Sequence, residues 1–247
     1  MPKIKFHSAR SYNDKINVQE TKPTPTKNKI PDWWKNATLF WQKPDGTPYE
    51  IGVDKKTGKV EKGLGFKSCP ALMDGFNMGY TLNTPTDIMF IQHNGEPYVL
   101  IDEEFKEFCA EREEMPGFKN PEGYHKKHFH WWPNWGIELE EGYSLLVLNP
   151  MNRFDLPFLT LSGIIDSDTY VSSGLTPFFL KEGFSGLIPK GTPFAQVIPV
   201  KRESWSSEYI YHDEDTIYKR FTEIANRFRK PFGGVYKKEI WSKKIYE

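Results

Sequence analysis

Between residues 143 and 201 the apolar positions come in short runs, "GYSLLVLNP", "PFLTLSGIID", "TPFFL", "FSGLIPKG" and "TPFAQVIPV", separated by Gly, Pro, Asn or Ser. Breaks at intervals of about eight to twelve residues mark an antiparallel sandwich or barrel. This stretch is expected to supply the central strands, with Phe194 and Val197 on opposite faces of the last one unless a bulge intervenes. Upstream, "DIMFIQHNGEPYVLI" places Asn94-Gly95 between two apolar runs, and Asn-Gly accepts the positive φ of a tight hairpin turn. In "DEEFKEFCAEREE" the spacing of Ile101, Phe105, Phe108 and Cys109 predicts a short acidic helix, with Asp102, Glu103 and Glu104 at its N-terminus. In "DEDTIYKRFTEIANRF" a second helix is predicted from Ile217, Phe221, Ile224 and Phe228, whose spacings are four, three and four.

Turn signals at Asp45-Gly46 and Thr57-Gly58 predict a small meander, and three prolines in "QETKPTPTKNKIP" predict an extended arm, because proline donates no ladder hydrogen bond. The expected architecture is mainly β, an antiparallel sandwich or jelly roll with one or two short peripheral helices. The expected divisions are an N-terminal arm (1–31), a β-rich core domain (32–205) and a C-terminal helix with a basic aromatic segment (206–247).

Composition narrows the setting. The 247 residues are 38% apolar, enough for an ordinary core, and 33 Lys and Arg balance 33 Asp and Glu. No global field then draws the chain to nucleic acid or membrane. A local exception keeps nucleic acid open as a partner: Lys219 to Lys244 holds nine Lys or Arg against two Glu. Within it Phe232, Tyr236, Ile240 and Trp241 form a docking side, hinged at Gly233-Gly234 and expected to pack on its own domain. Two cysteines, Cys69 and Cys109, make neither a disulfide framework nor a zinc knuckle and fit a reducing cytosol; Cys69 is read as a small packed group. With no apolar run of membrane-spanning length, a soluble protein is expected. Aromatic content is the outlying number, at 15%.

Candidate chemistry centres on "KKHFHWWPNWG". On a strand, His128 and His130 would share a face, a geometry that suits a divalent metal. Gly123, four residues, then His128-x-His130 resembles the first motif of the cupins, and Gly183, five residues, then Pro189-x-Gly191 resembles their second. That resemblance implies a cupin-like jelly roll. The ligand set departs from it: the first acid after the pair is Glu138, and Phe194 stands where the last histidine belongs. No catalytic residue, metal or cofactor is therefore assigned, and His128, His130 and His125 remain the candidates if a metal binds. "SGIIDSDTYVS" followed by "IPKGTPFAQVIPV" also resembles the dUTP-hydrolysing trimers, with Asp166 matching their nucleotide-side aspartate, but "NPMNRFDLPF" lacks the serine-rich phosphate segment. A possible binding surface comprises Trp131, Trp132 and Trp135, whose rings suit stacking, with Asn152, Asp166 and Asp168. Pro133 is expected to turn at least one of these tryptophans away from the core.

Taken together, "KSCPALMDGFNMGYTLNTPTDI", "LEEGYSLLVLNPMNRFDLPFLTLSGIIDSD" and "GLIPKGTPFAQVIPVKRESW" resemble an uncharacterised family of tailed bacteriophages, notably those of marine bacteria and cyanobacteria. The matching residues include Cys69, Gly79, Gly142, Tyr143, Asn152, Asp166, Asp168, Gln196 and Arg202. The resemblance implies viral origin and a β-rich fold. The resulting expectation is a non-catalytic virion component or host-interaction module, in the host cytoplasm or the virion, with protein partners or self-association and no membrane. The competing expectation is a cupin-like metal-dependent or dUTPase-like nucleotide-directed enzyme built around His128, His130 and Asp166.

Overall fold

The computed structural model describes residues 2–8, 21–53, 57–172, 174–228 and 239–247. These form, in chain order, β1 (Lys5–His7), β2 (Thr24–Pro25), α1 (Asp32–Asn36), β3 (Glu50–Val53), β4 (Val60–Lys62), α2 (Pro70–Asn77), β5 (Tyr80–Asn83), β6 (Ile88–His93), β7 (Glu96–Ile101) and β8 (Cys109–Arg112). There follow β9 (Tyr124–Trp131), β10 (Gly136–Glu138), β11 (Tyr143–Leu148), β12 (Phe158–Thr160), β13 (Gly163–Ile165), β14 (Thr176–Lys181), β15 (Gly186–Ile188), β16 (Pro193–Lys201) and α3 (Glu214–Phe228). The chain is mostly β, and every strand pair among the described residues is antiparallel. No helix among the described residues is long and apolar enough to cross a membrane.

Two compact units emerge. The first draws on residues 1–29, 78–203 and 246–247, the second on 30–77 and 204–245. Residues 32–77, expected in one domain with the sandwich, thus group with the segment that follows it.

The first unit is a β-sandwich. One layer is the sheet β13-β11-β16-β5-β2; against it lie β12-β14-β9-β8 and β15-β6-β7, while β1 pairs with β10 at the side. Alternation decides which side chains point inward: Leu145 and Val147 from β11, Tyr80 and Leu82 from β5, and Ala195 and Val197 from β16 meet Phe90, Phe129, Trp131, Phe158 and Phe178 in one core. Contact between the layers is direct, with the Trp131 and Phe194 ring centroids 5.2 Å apart. Phe194 reaches that core although it lies three positions from Val197, because the pairing of β16 with β5 shifts register between Pro193 and Ala195. The expected bulge condition is met, and the two residues share a face.

The Asn94-Gly95 hairpin forms as expected, joining β6 to β7 with φ of 52° and 81° at the turn. The acidic helix over 102–114 does not. Only Glu103–Phe105 makes a single 3-10 turn, and Cys109–Arg112 is strand β8, paired with β9. Phe105, Phe108 and Cys109 are buried all the same, and the open edge of β9 offers these residues a ladder that outweighs a weak helical preference.

In the second unit Trp34 of α1 is buried, its ring 4.5 Å from Phe76 of α2 and its indole N–H 3.2 Å from the Met73 sulfur. Bridges Phe40 to Leu64 and Gln42 to Pro48 continue the β3-β4 hairpin as the predicted meander. Helix α3 begins where expected, and Asp213 caps it by accepting from the Thr216 N–H and hydroxyl, both at 2.8 Å. From the C-terminal segment, Trp241 Nε1 and Lys244 Nζ donate to Asp74 Oδ2 at 2.9 and 2.6 Å. In the first unit the Tyr80 hydroxyl donates to the Glu247 carbonyl at 2.9 Å, with the Tyr246 ring 5.9 Å away. Phe232, Tyr236 and the Gly233-Gly234 hinge lie outside the described residues.

Candidate functional site

The structure sends the candidate residues to three separate places. His128 and His130 lie on β9 with their side chains on the face opposite Phe129 and Trp131, as period two requires. Their cross-strand neighbours are Arg112 and Ala110 on β8, and Phe179 and Pro177 on β14. His128 is buried against Phe179, at 5.7 Å between rings, and Phe118 stacks on Phe179 at 5.8 Å. Burial, and then the Arg112 cation, hold both imidazoles below their ordinary pKa. The Nδ1 of His130 is covered and has no hydrogen-bond partner. A guanidinium beside two histidines repels a cation. His125 stands apart: its Nδ1 accepts from the Lys127 N–H at 3.1 Å, so its Nε2 carries the proton and donates to the Gly95 carbonyl at 3.1 Å. Among the described residues no group of three or more His, Cys, Asp or Glu is placed to hold a metal.

The acids form a clamp. Asp168 receives Arg202 through both carboxylate oxygens, Nη1 donating to Oδ1 at 2.9 Å and Nη2 to Oδ2. The Gly142 N–H donates to the same Oδ2 at 2.9 Å, and Gly142 returns its carbonyl to the Arg202 N–H at 2.9 Å. Arg202 Nη1 also lies 3.3 Å from Asp166 Oδ1, which accepts from the buried Ser144 hydroxyl at 2.6 Å. Each member sits at a strand end: Ser144 near the start of β11, the two aspartates just beyond β13, and Arg202 one residue past β16. The Arg202 hydrogen bonds, followed by that from Gly142, pull the Asp168 carboxyl down to about 2. So acidic a group is a poor proton acceptor near neutrality. The side chain of Asp168 is only 4% exposed, so it is a fastener between strand ends rather than a solvated turn residue.

Trp131 is not on a surface. It is fully buried, stacked on Phe178 at 3.8 Å and 9°, and its Nε1–H donates to the Thr160 hydroxyl at 3.1 Å. Trp132 is exposed and Trp135 half-buried, so the strand end at Pro133 does release tryptophan from the core. Asn152 holds φ of 59° in the turn after β11, where Arg153 N–H donates to the Pro150 carbonyl; its type suits that left-handed position. Cys69 is half-buried and Cys109 buried, and burial pushes the Cys109 thiol well up.

Two features lay beyond the sequence-based choice of site residues. Ser144 and Arg202 complete the clamp, yet strand ends far apart in the chain carry no local mark of meeting. The outward apolar face of β6 and β7 did carry one, since "DIMFIQ" and "EPYVLI" are apolar at both odd and even positions. Comparison with protein-family models and with curated proteins finds no match.

Proposed function

We propose that the protein is a non-catalytic β-sandwich protein of a tailed bacteriophage, serving as a virion component or a host-interaction module through protein partners. The observation that carries this reading is the surface of the second unit. All four residues of β3 are exposed, Ile51 and Val53 among them, with Val60 opposite, and Trp41 and Phe66 are more exposed than not. Large apolar side chains gathered on a surface mark protein contacts. The clamp weighs against a nucleotide-directed enzyme built on Asp166, because that carboxylate already accepts from the Ser144 hydroxyl and pairs with the Arg202 guanidinium.

Mass spectrometry of purified particles of the encoding phage, alongside elemental analysis of the purified chain, tests the proposal. Stoichiometric presence in particles or in complexes with a host protein, without bound transition metal, is expected. Stoichiometric iron, manganese or zinc, or catalytic turnover of a nucleotide, overturns it.

A further inference from the structure

The sheet β15-β6-β7 is apolar on both faces. Ile88 and Phe90 of β6 point into the core, while Met89 and Ile91 point out. Register places Leu187 opposite Met89, Met89 opposite Leu100, and Ile91 opposite Tyr98. These five outward side chains, each 37% to 53% exposed, therefore form one patch across three adjacent strands. An antiparallel sheet with one face in water carries polar residues there; a strand apolar on both sides has the pattern of a sheet covered on both sides.

A second uncovered surface lies on α3. Ile217, Phe221 and Ile224 fall on one helical side and are exposed. Residues 204–213, which lead to the helix, are all exposed and outside regular structure. Ten extended residues span up to about 33 Å, a tether long enough to reach a neighbouring molecule.

We infer that these two surfaces meet between two copies of the chain, the α3 of each copy lying across the outer β15-β6-β7 face of the other. The inference rests on the assembly role proposed above and names a second copy as a partner. Dimensions fit: three strands at about 4.8 Å spacing make a bed about 10 Å across, the width of a helix. The stripe from 217 to 224 runs about 10 Å at 1.5 Å per residue, matching the few strand positions that carry the patch. Stoichiometry fits too. Each chain has one such helix and one such face, so a two-fold exchange uses both and closes, whereas sheet-on-sheet pairing would leave the helix bare. Area points the same way, because five patch residues alone fall short of the roughly 800 Å² per partner of a stable interface. Two helix-on-sheet contacts, with Trp205, Tyr209 and Tyr211 of the tether, enlarge the buried surface. Arg220 borders the helical stripe and Glu96 borders the hairpin end of the patch, an opposite pair, while Lys127, already paired with Glu111, covers one side of Tyr98.

Light scattering on the full chain after size exclusion tests this, with circular dichroism and melting to confirm folding. The parent is expected to be a dimer. Met89→Glu and Phe221→Glu, both at exposed positions, should each give folded monomer under the same conditions. An equimolar mixture of the two variants should regain part of the dimer, since one of its two helix-on-sheet contacts is intact. Cross-linking of the parent mixed from light and heavy isotope cultures needs no variant and should join Lys219 of one copy to Lys190 of the other. A monomeric parent overturns the inference. So does a dimer that survives either substitution, because that dimer is held by helix on helix or sheet on sheet, and so does cross-linking confined to single molecules. A monomer in solution leaves presence in particles intact as a separate result, so the two proposals fail independently.

Discussion

At Gly79 the backbone holds φ of 69°, and a Cβ placed there would stand 2.1 Å from the Val197 carbonyl oxygen. At Gly95 φ is 81°, yet nothing lies within 4 Å. Both positions disfavour a side chain by about 1–2 kcal/mol through conformation alone, but only Gly79 also forces β16 to move. Gly95→Ala should therefore lower stability by about that amount in urea titrations, whereas Gly79→Ala should abolish soluble folded protein or drop the melting temperature far more. Equal losses would show that the close approach to Val197 is not the constraint. The clamp makes a prediction in acid. Because the folded Asp168 pKa of about 2 lies below the ordinary carboxylate value, its stabilising contribution is full above about pH 4 and is lost as pH falls toward 2. Arg202→Ala should destabilise at pH 7 and converge on the parent in strong acid, with the Asp168 carboxyl resonance titrating nearer its normal range. A stability difference independent of pH would refute that assignment. The histidines act in a higher window: with folded pKa values depressed by burial and Arg112, their neutral forms favour the fold above about pH 6.5, and that advantage is lost as pH falls below it. His128→Phe should flatten this slope in denaturant titrations at pH 7 and pH 5.5.

Among the elements, the C-terminal segment is the clearest case of distant docking, since Trp241 and Lys244 reach Asp74 while Tyr246 and Glu247 reach Tyr80. Truncation after Arg229 removes all of these contacts and should lower the melting temperature by several degrees. An unchanged melting temperature with lost partner binding would instead mark the segment as an interaction arm. The elements that sequence foretold are those with local determinants: the β6-β7 hairpin from Asn94-Gly95, α3 from its apolar spacing, and the strands of 143–201 from their punctuation. Strand β8 was missed because apolar spacing at Phe105, Phe108 and Cys109 fits a helix equally well, and only the edge of β9 decides between them. The candidate site divides in the same way. Sequence placed His128 and His130 on one face through simple alternation, but it could not see Arg112 across the ladder, nor that Trp131 takes the inward position. Asp166 and Asp168 were singled out without Arg202 as their partner, because β11, β13 and β16 bring them together only in the folded sheet.

For the molecule as a whole, chelator should leave the melting temperature unchanged, since a metal bound only to the native state would stabilise it and its removal would be visible. A fall on chelation that His128→Ala with His130→Ala abolishes would reassign the outer face of β9 as a metal centre. The order β13-β11-β16-β5-β2 also carries information about time. Strand β16 lies between β5 and β11 in space but follows both in the chain by 45 residues or more. During synthesis β5 and β11 must wait beside an empty lane, with apolar Leu82, Leu145 and Val147 lacking their central neighbour, until residues 193–201 leave the ribosome. Non-local pairing of this kind slows folding to milliseconds or longer and leaves strand edges open to other nascent chains. Cells making the protein therefore meet its greatest hazard in the seconds before β16 arrives, when slower elongation or a chaperone that shields exposed strands should improve yield most.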